Sequence, residues 1–238
     1  LRTNFDPLAE MWTNRPAIPL NPVAIQPLEF AGESAHEKLQ RIRKALRQHH
    51  ADGMLVAALD DIAWALNIRS SDVHCTPVAV AYLLISSSKA VLYINKVKVS
   101  ADVEAYLRAE GVTLAEYSDV VSGLKAYPDY NILMDADEIN YTLFHAVKDT
   151  IVVRGTSPIP GMKIKKTQAE IDGYHRAMLR DGIALAKFYY WLKEGCKASR
   201  EEGTQMLVID GKVQTEMGID QKLTSLRAEQ PLFRDLSF

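Results

Sequence analysis

The sequence predicts an α/β fold, a mixed sheet covered by helices, followed by the leading helices of a second unit. Three observations carry this. Short apolar runs of strand length alternate with amphipathic helical segments from residue 53 to residue 154. Two apolar runs, 78–86 and 90–95, flank Ser87-Ser88-Lys89 as a hairpin, which places an antiparallel pair in an otherwise alternating series. Ser157-Pro158-Ile159-Pro160 then punctuates the chain before a long helical periodicity begins.

Taken in order, residues 1–33 carry Pro7, Pro16, Pro19, Pro22 and Pro27 without a sustained period. Proline fixes φ and removes an amide donor, so this stretch reads as an extended connector. Ser34 and Glu37 form a capping box, and Leu39, Ile42 and Leu46 follow as the inward stripe of a helix. GMLVAAL (53–59) suits a buried strand, and Asp60 is placed to cap a helix over 61–67. Ile62, Trp64, Ala65 and Leu66 make that helix apolar nearly all round, the pattern of a buried element with Trp64 in the core. After the hairpin come a helix over 100–110 closed by Gly111, a strand over 112–117 and a helix over 119–127. A strand over 132–135, a helix over 141–148 and a strand over 151–154 complete the alternation.

A second capping box, Thr167 to Glu170, opens a helix reaching about Glu194, with Ile171, Tyr174, Met178, Leu185, Phe188, Tyr189 and Leu192 as its apolar positions. Gly173 and Gly182 each cost about 1 kcal/mol against alanine, so they imply close packing against a neighbour. Thr215 caps a last helix with Ile219, Leu223 and Leu226 inward, closed by Pro231. These two helices have only each other and a short tail to pack on, and read as the front of a domain whose sheet is absent.

Composition bounds the function. With 238 residues, 47% hydrophobic, 24% charged and a formal net charge of −2, the chain carries no basic stripe able to neutralise a phosphate backbone, so no nucleic-acid partner is expected. No run approaches the ~20 apolar residues of a membrane helix. Cys75 and Cys196 are too few for a disulfide framework and fit a reducing cytoplasm. Lys163, Lys165 and Lys166, the densest basic cluster, read as a solvated linker before the long helix.

Two groups of polar residues could carry chemistry. Asp72, His74 and Cys75 offer a carboxylate, an imidazole and a thiol on one loop, enough to suggest zinc or a nucleophile with its base. A closed zinc site needs four ligands, so the plainer reading is a loop that orients itself through Asp72 and buries Cys75. Asp135, Asp137 and Glu138 lie at a strand end but lack the spacing of a calcium loop, and Asp137 or Asn140 capping the next helix accounts for them. His49 and His50 read as a helix end, and His36, His145 and His175 as surface or core residues without a metal-spaced partner. Trp64, Tyr82, Trp191 and the pair Tyr189-Tyr190 fall on helix or strand periods and read as core. No dinucleotide, Walker, nucleophile-elbow or H-E-x-x-H signature is present.

Three blocks in order, DPLAEMWTNRPAIPLNP (6–22), LDDIAWALNIRSSDVHCTPVAVAYLLI (59–85) and SPIPGMKIKKTQAEIDGYHRAMLRDGIAL (157–185), resemble the three-domain type of aminopeptidase P. The resemblance implies a connector and first-domain tail over 1–33, a creatinase/prolidase N-terminal-type α/β domain over 34–158, and over 159–238 the truncated start of a pita-bread α+β catalytic domain. It implies a cytoplasmic, homodimeric enzyme that removes the N-terminal residue preceding proline from peptides. Two divalent metals, manganese or zinc, would activate water against that bond. The family's two aspartates, histidine and two glutamates that hold the metals have no counterpart before FRDLSF (233–238), so no catalytic or metal residue and no cofactor is expected in this piece. A start at Leu1 without methionine agrees with a fragment. The sequence departs from the family in Thr76, where asparagine is usual, and in a longer run over 196–214. The alternatives are a non-catalytic creatinase-N-like interaction module and an independent enzyme built on Asp72, His74 and Cys75.

Overall fold

A computed structural model describes residues 5–201, 203, 206–209 and 211–236. The chain divides into two compact units, residues 1–167 and 168–238.

In the first unit, β1 (Ala24–Ile25) and α1 (Leu28–Ala31) precede α2 (Ala35–Gln48), whose N-terminus carries the capping box read from the sequence: Ser34 accepts from Glu37 N and the Glu37 side chain from Ser34 N. Then follow β2 (Gly53–Val56), α3 (Leu59–Ala65) and the two-residue β3 (Ile68–Arg69), which pairs antiparallel with β1. The hairpin is β4 (Ala81–Ile85) and β5 (Ala90–Ile94), closed by Ser86 N donating to Lys89 O at 2.8 Å. α4 (Ala101–Ala109), capped by Ser100 and ended at Gly111 with φ +82°, leads to β6 (Val112–Ala115) and α5 (Val120–Lys125). β7 (Ile132–Met134), α6 (Tyr141–Phe144), β8 (Val152–Arg154) and α7 (Ile159–Ile164) complete the unit.

Six strands form one sheet in the order β6-β5-β4-β2-β7-β8, in which only β4 runs antiparallel to its neighbours. Period-two alternation sends Met54, Val56, Leu83, Ile85, Leu92 and Ile94 to one face, against Leu39, Ile42 and Leu46 of α2 and Leu107 of α4. Leu55, Leu84, Tyr93, Ile132 and Met134 go to the other, against Leu124 of α5 and Leu143 and Phe144 of α6. Both faces are therefore covered, the condition under which strands read as continuous apolar runs.

α3 begins at Leu59, after Ala58, and not behind an Asp60 cap. Asp60 and Asp61 sit in its first turn, and their carboxylates are drawn to Lys163. Trp64 packs against the main core and is half-buried, with Lys38 Nζ 4.5 Å and Arg41 Cζ 5.8 Å from its ring centroid. Lys38, itself buried, donates to Trp64 O at 3.0 Å and to Asn67 Oδ1 at 2.7 Å.

The deepest ion pair among the described residues joins Lys98 Nζ to Asp72 Oδ2, with side chains 1% and 0% exposed. The same carboxylate accepts from Val80 N at 2.7 Å and from Asn21 N at 3.2 Å. Asp72 thus orients its loop as the sequence suggests, whereas Cys75, at φ +60°, is half-buried, not buried.

In the second unit α8 (Gln168–Glu201) continues past Glu194, and β9 (Val208–Ile209) and β10 (Lys212–Val213) form a short ladder before α9 (Glu216–Ala228), capped by Thr215. The run over 196–214 folds back on α8: Ser199 Oγ accepts from Val208 N at 2.9 Å and donates to Val208 O at 3.3 Å. Close packing falls at Gly195, where an added Cβ would stand 2.3 Å from the Ile209 side chain, and not at Gly173 or Gly182, which have no such neighbour. Ala184, Phe188 and Leu226 form the small core, with Trp191, Leu192, Ile219 and Leu223 around it. Tyr189 and Tyr190, read as core, are 63% and 70% exposed, since α9 covers only one side of α8.

Asp72→Ala is expected to destabilise the first unit by about 3–5 kcal/mol, because it leaves the Lys98 ammonium buried without its counter-charge. Equilibrium denaturation checks this, and a loss below about 1 kcal/mol would show that the pair is not needed.

Candidate functional site

The C-terminal ends of β2, β7 and β8 lie side by side, the edge at which open α/β sheets present their loops. Here α3, the turn after β7 and α7 bring four carboxylates toward one ammonium. Lys163 on α7 pairs with Asp60 and, at 2.7 Å, with Asp61 Oδ1. Lys163 is therefore part of a folded cluster and not of a solvated linker, while Lys165 and Lys166 are exposed. Asp61 is buried, its Oδ2 is shut off from water without a well-formed hydrogen bond among the described residues, and Ser157 lies beside the carboxylate.

Asp135, at the end of β7, accepts from Asp137 N at 3.1 Å and from Ser157 N at 3.3 Å. Asn140 caps α6 through Leu143 N, as one of the two capping residues expected there. Glu138 adds a fourth negative charge near Asp60, Asp61 and Asp135. Burial, helped by repulsion from Asp60, pushes the Asp61 carboxyl above its ordinary range against the pull of Lys163. Burial, then Asp135, does the same to Glu138. For Asp60 burial is outweighed by the Lys163 hydrogen bond and charge, which hold its carboxyl low. Lys163 is likewise desolvated, yet Asp60 and Asp61 hold its ammonium above the usual lysine range.

The other sequence candidates do not assemble. Asp72 is committed to Lys98, His74 is exposed and Cys75 half-buried on the same loop, joined by the Val73–Thr76 bridge. His36 meets Gln40 at 2.8 Å on the surface, His49 ends α2, and His145 stacks on Tyr141 at 4.0 Å between centroids. Tyr82 is half-buried and stacked on Tyr117 at 5.3 Å. Among the described residues no three His, Cys, Asp or Glu side chains come together in a way that could hold a metal ion. The two metals that the family resemblance implies therefore do not fit the residues present, and Asp60 and Asp61 are taken up by Lys163. No described helix is long and apolar enough to cross a membrane.

A family model described as the creatinase/prolidase N-terminal domain matches residues 14–170. The chain belongs to this family. The match takes in the whole sheet, the Asp72–Lys98 pair and the Lys163 cluster. Among curated relatives, Aminopeptidase P1 of Arabidopsis thaliana is 32% identical over all of this chain and 42% of its own length. A probable Xaa-Pro aminopeptidase P of Ajellomyces capsulatus is 33% identical over 95% of this chain and 37% of its own. Among solved structures, an X-prolyl aminopeptidase of Caenorhabditis elegans, described as a cytosolic enzyme with a di-nuclear active site, superposes with a TM-score of 0.85 at 26% identity, over 97% of this chain and 37% of that one. The chain thus spans about two fifths of the length of these relatives.

The Lys163 cluster generates a pH expectation for this creatinase-type domain. A carboxyl raised in the folded state adds stability that is present below its unfolded pKa and lost as pH rises through the folded one. For Glu138 that loss begins just above the ordinary 4.5. Glu138→Gln is therefore expected to raise the melting temperature at pH 7 and leave it nearly unchanged at the acid end of the range. Thermal unfolding at both pH values checks the sign, and a lower melting temperature at pH 7 would contradict it.

Proposed function

We propose that this chain is part of a metal-dependent aminopeptidase that releases the N-terminal residue preceding proline from peptides. It would supply the connector (1–33), the α/β domain (34–158) and the leading helices of a pita-bread catalytic domain (159–238), and would not itself be catalytic. The observation that carries the reading is the superposition on the worm X-prolyl aminopeptidase over nearly the whole chain at a TM-score of 0.85. The relatives named as Xaa-Pro aminopeptidases and the matching order of the three sequence blocks support it.

In this reading the metals, manganese or zinc, belong to a part of the protein outside these residues. The substrate is a peptide with proline in second position, the compartment is the cytoplasm, and the enzyme is a homodimer. The chemistry the metals supply is water activation at the scissile carbonyl. The domain described here contributes no group to that step in this proposal.

Purified chain, supplied with manganese, zinc or cobalt and an X-Pro-Pro peptide, is expected to release no N-terminal residue. Release measured by chromatography, from material freed of contaminating peptidase, would overturn the assignment of chemistry to another part of the protein. A longer protein containing this chain is expected to cleave the same peptide and to lose that activity on chelation.

A further inference from the structure

α7 does not hold itself together. It is 6 residues long, well short of the ~12–15 at which a helix becomes stable on its own hydrogen bonds, and it carries Pro160 and Gly161. Pro158 at its N-cap has no side-chain acceptor for the first turn, and Ser157 Oγ takes the amide of Ile159 at a long 3.3 Å. A Cβ added to Gly161 would meet nothing within 4 Å, so this glycine does not serve close packing. The helix therefore depends on what its side chains reach.

Those anchors are few. Ile159 is fully buried in the main core and Met162 packs against it, while Pro160, Gly161, Ile164, Lys165 and Lys166 are exposed. Apolar burial thus ends at Met162, and Lys163 is what returns the chain to the first unit. Its ammonium meets Asp60, and Asp61 Oδ1 at 2.7 Å, both far earlier in sequence on α3. The two partners are unequal. Asp60 is 62% exposed, so solvent screens its pair, whereas Asp61 is 2% exposed and holds the lysine in a drier setting. The last anchor is Thr167 Oγ1, which donates to Ala31 O at 3.2 Å, and α8 begins at the next residue. One neutral hydrogen bond is offset by the entropy of ordering the chain that makes it.

We propose that Lys163 is a latch: its ion pair with Asp61 keeps residues 160–167 folded onto the first unit, and without that pair this stretch is a free tether leading to α8. The free energies of local opening run from near zero up to that of global unfolding, and a segment held by two apolar contacts and one charge pair belongs at the low end. Freed, the stretch spans up to roughly 27 Å, so the latch decides how closely the start of α8 is tied to the first unit. The latch concerns the first unit alone and does not depend on the peptidase reading.

Hydrogen exchange on the whole chain tests it, with tryptic cleavage after Lys165 and Lys166 as a second readout of the same opening. In wild type the amides of 161–167 are expected to exchange at least about tenfold more slowly than free chain of the same sequence. Lys163→Met alone would leave the Asp61 carboxylate buried without its counter-charge, a defect able to loosen the whole unit, so the deciding variant combines Lys163→Met with Asp61→Asn. This pair is expected to leave exchange in β2, β4 and β5 unchanged and to speed exchange and cleavage within 161–167 by at least about tenfold. Equal protection of 161–167 in the double variant and in wild type would show that Ile159, Met162 and Thr167 suffice, and would overturn the latch. A wild type that exchanges there at the free-chain rate would overturn it too, as would a double variant in which β2, β4 and β5 loosen as much as the segment.

Discussion

The burial of Asp72 against Lys98 is the constraint around which the first unit closes. A carboxylate and an ammonium, both nearly without solvent, are tolerable only if every remaining lone pair and proton is used, because the desolvation of each ion costs several kcal/mol. Asp72 meets that requirement with the amides of Val80 and Asn21, and Lys98 returns its backbone carbonyl to Val23 N at 3.0 Å. Three stretches far apart in sequence are thereby tied: the end of the proline-rich connector, the loop before β4 and the turn after β5. The pairing of β1 with β3 and the hydrogen bond from Gln26 N to Asn67 O, at 2.7 Å, continue the same seam. The connector is thus built into the first unit from Asn21 onward, which agrees with a family match that begins at residue 14.

The Lys163 cluster shows the same physics in a looser form. Four carboxylates and one lysine cannot all be neutralised, so the group sorts itself: Asp60 keeps its charge, while Asp61 and Glu138 are pushed toward the protonated form. Such a cluster resembles a metal site in composition and differs from one in geometry, since the lysine occupies the position between the carboxylates that a cation would need. Perturbed carboxyls in a cleft point to function only when a site accompanies them. Here the charges fasten α7 to α3.

Much of the fold was legible because local signals agreed with one another. The capping box at Ser34, the hairpin at Ser87-Ser88-Lys89 and the left-handed Gly111 are each decided within a few residues, and each is where the sequence put it. What local reading missed depended on distant partners. Asp60 looks like a cap until Lys163, about a hundred residues later, claims it. Trp64 packs on the core as its period suggests, but nothing local says that Lys38 and Arg41 lie over its ring. Tyr189 and Tyr190 lie on a helical period that says only which side of α8 they share, and nothing in the period says whether that side is covered. Gly195, a glycine within a long helix, marks the place to which the apolar pair Val208-Ile209 returns.

The order β6-β5-β4-β2-β7-β8 also has a bearing on how the sheet is made. One edge of β2 is filled early by β4, after a short stretch of chain. The other edge waits for β7, whose Ile132 comes about eighty residues after its partner Gly53, once the chain has built β6 and crossed back over three strands. Until then the apolar segment GMLV offers an unpaired row of amides and carbonyls, the feature that draws wrong strands together. During synthesis the half of the sheet from β2 to β6 can form first, with α5 as the strap that delivers its last partners. The nascent domain therefore carries an open strand edge in the interval between the emergence of β2 and that of β7.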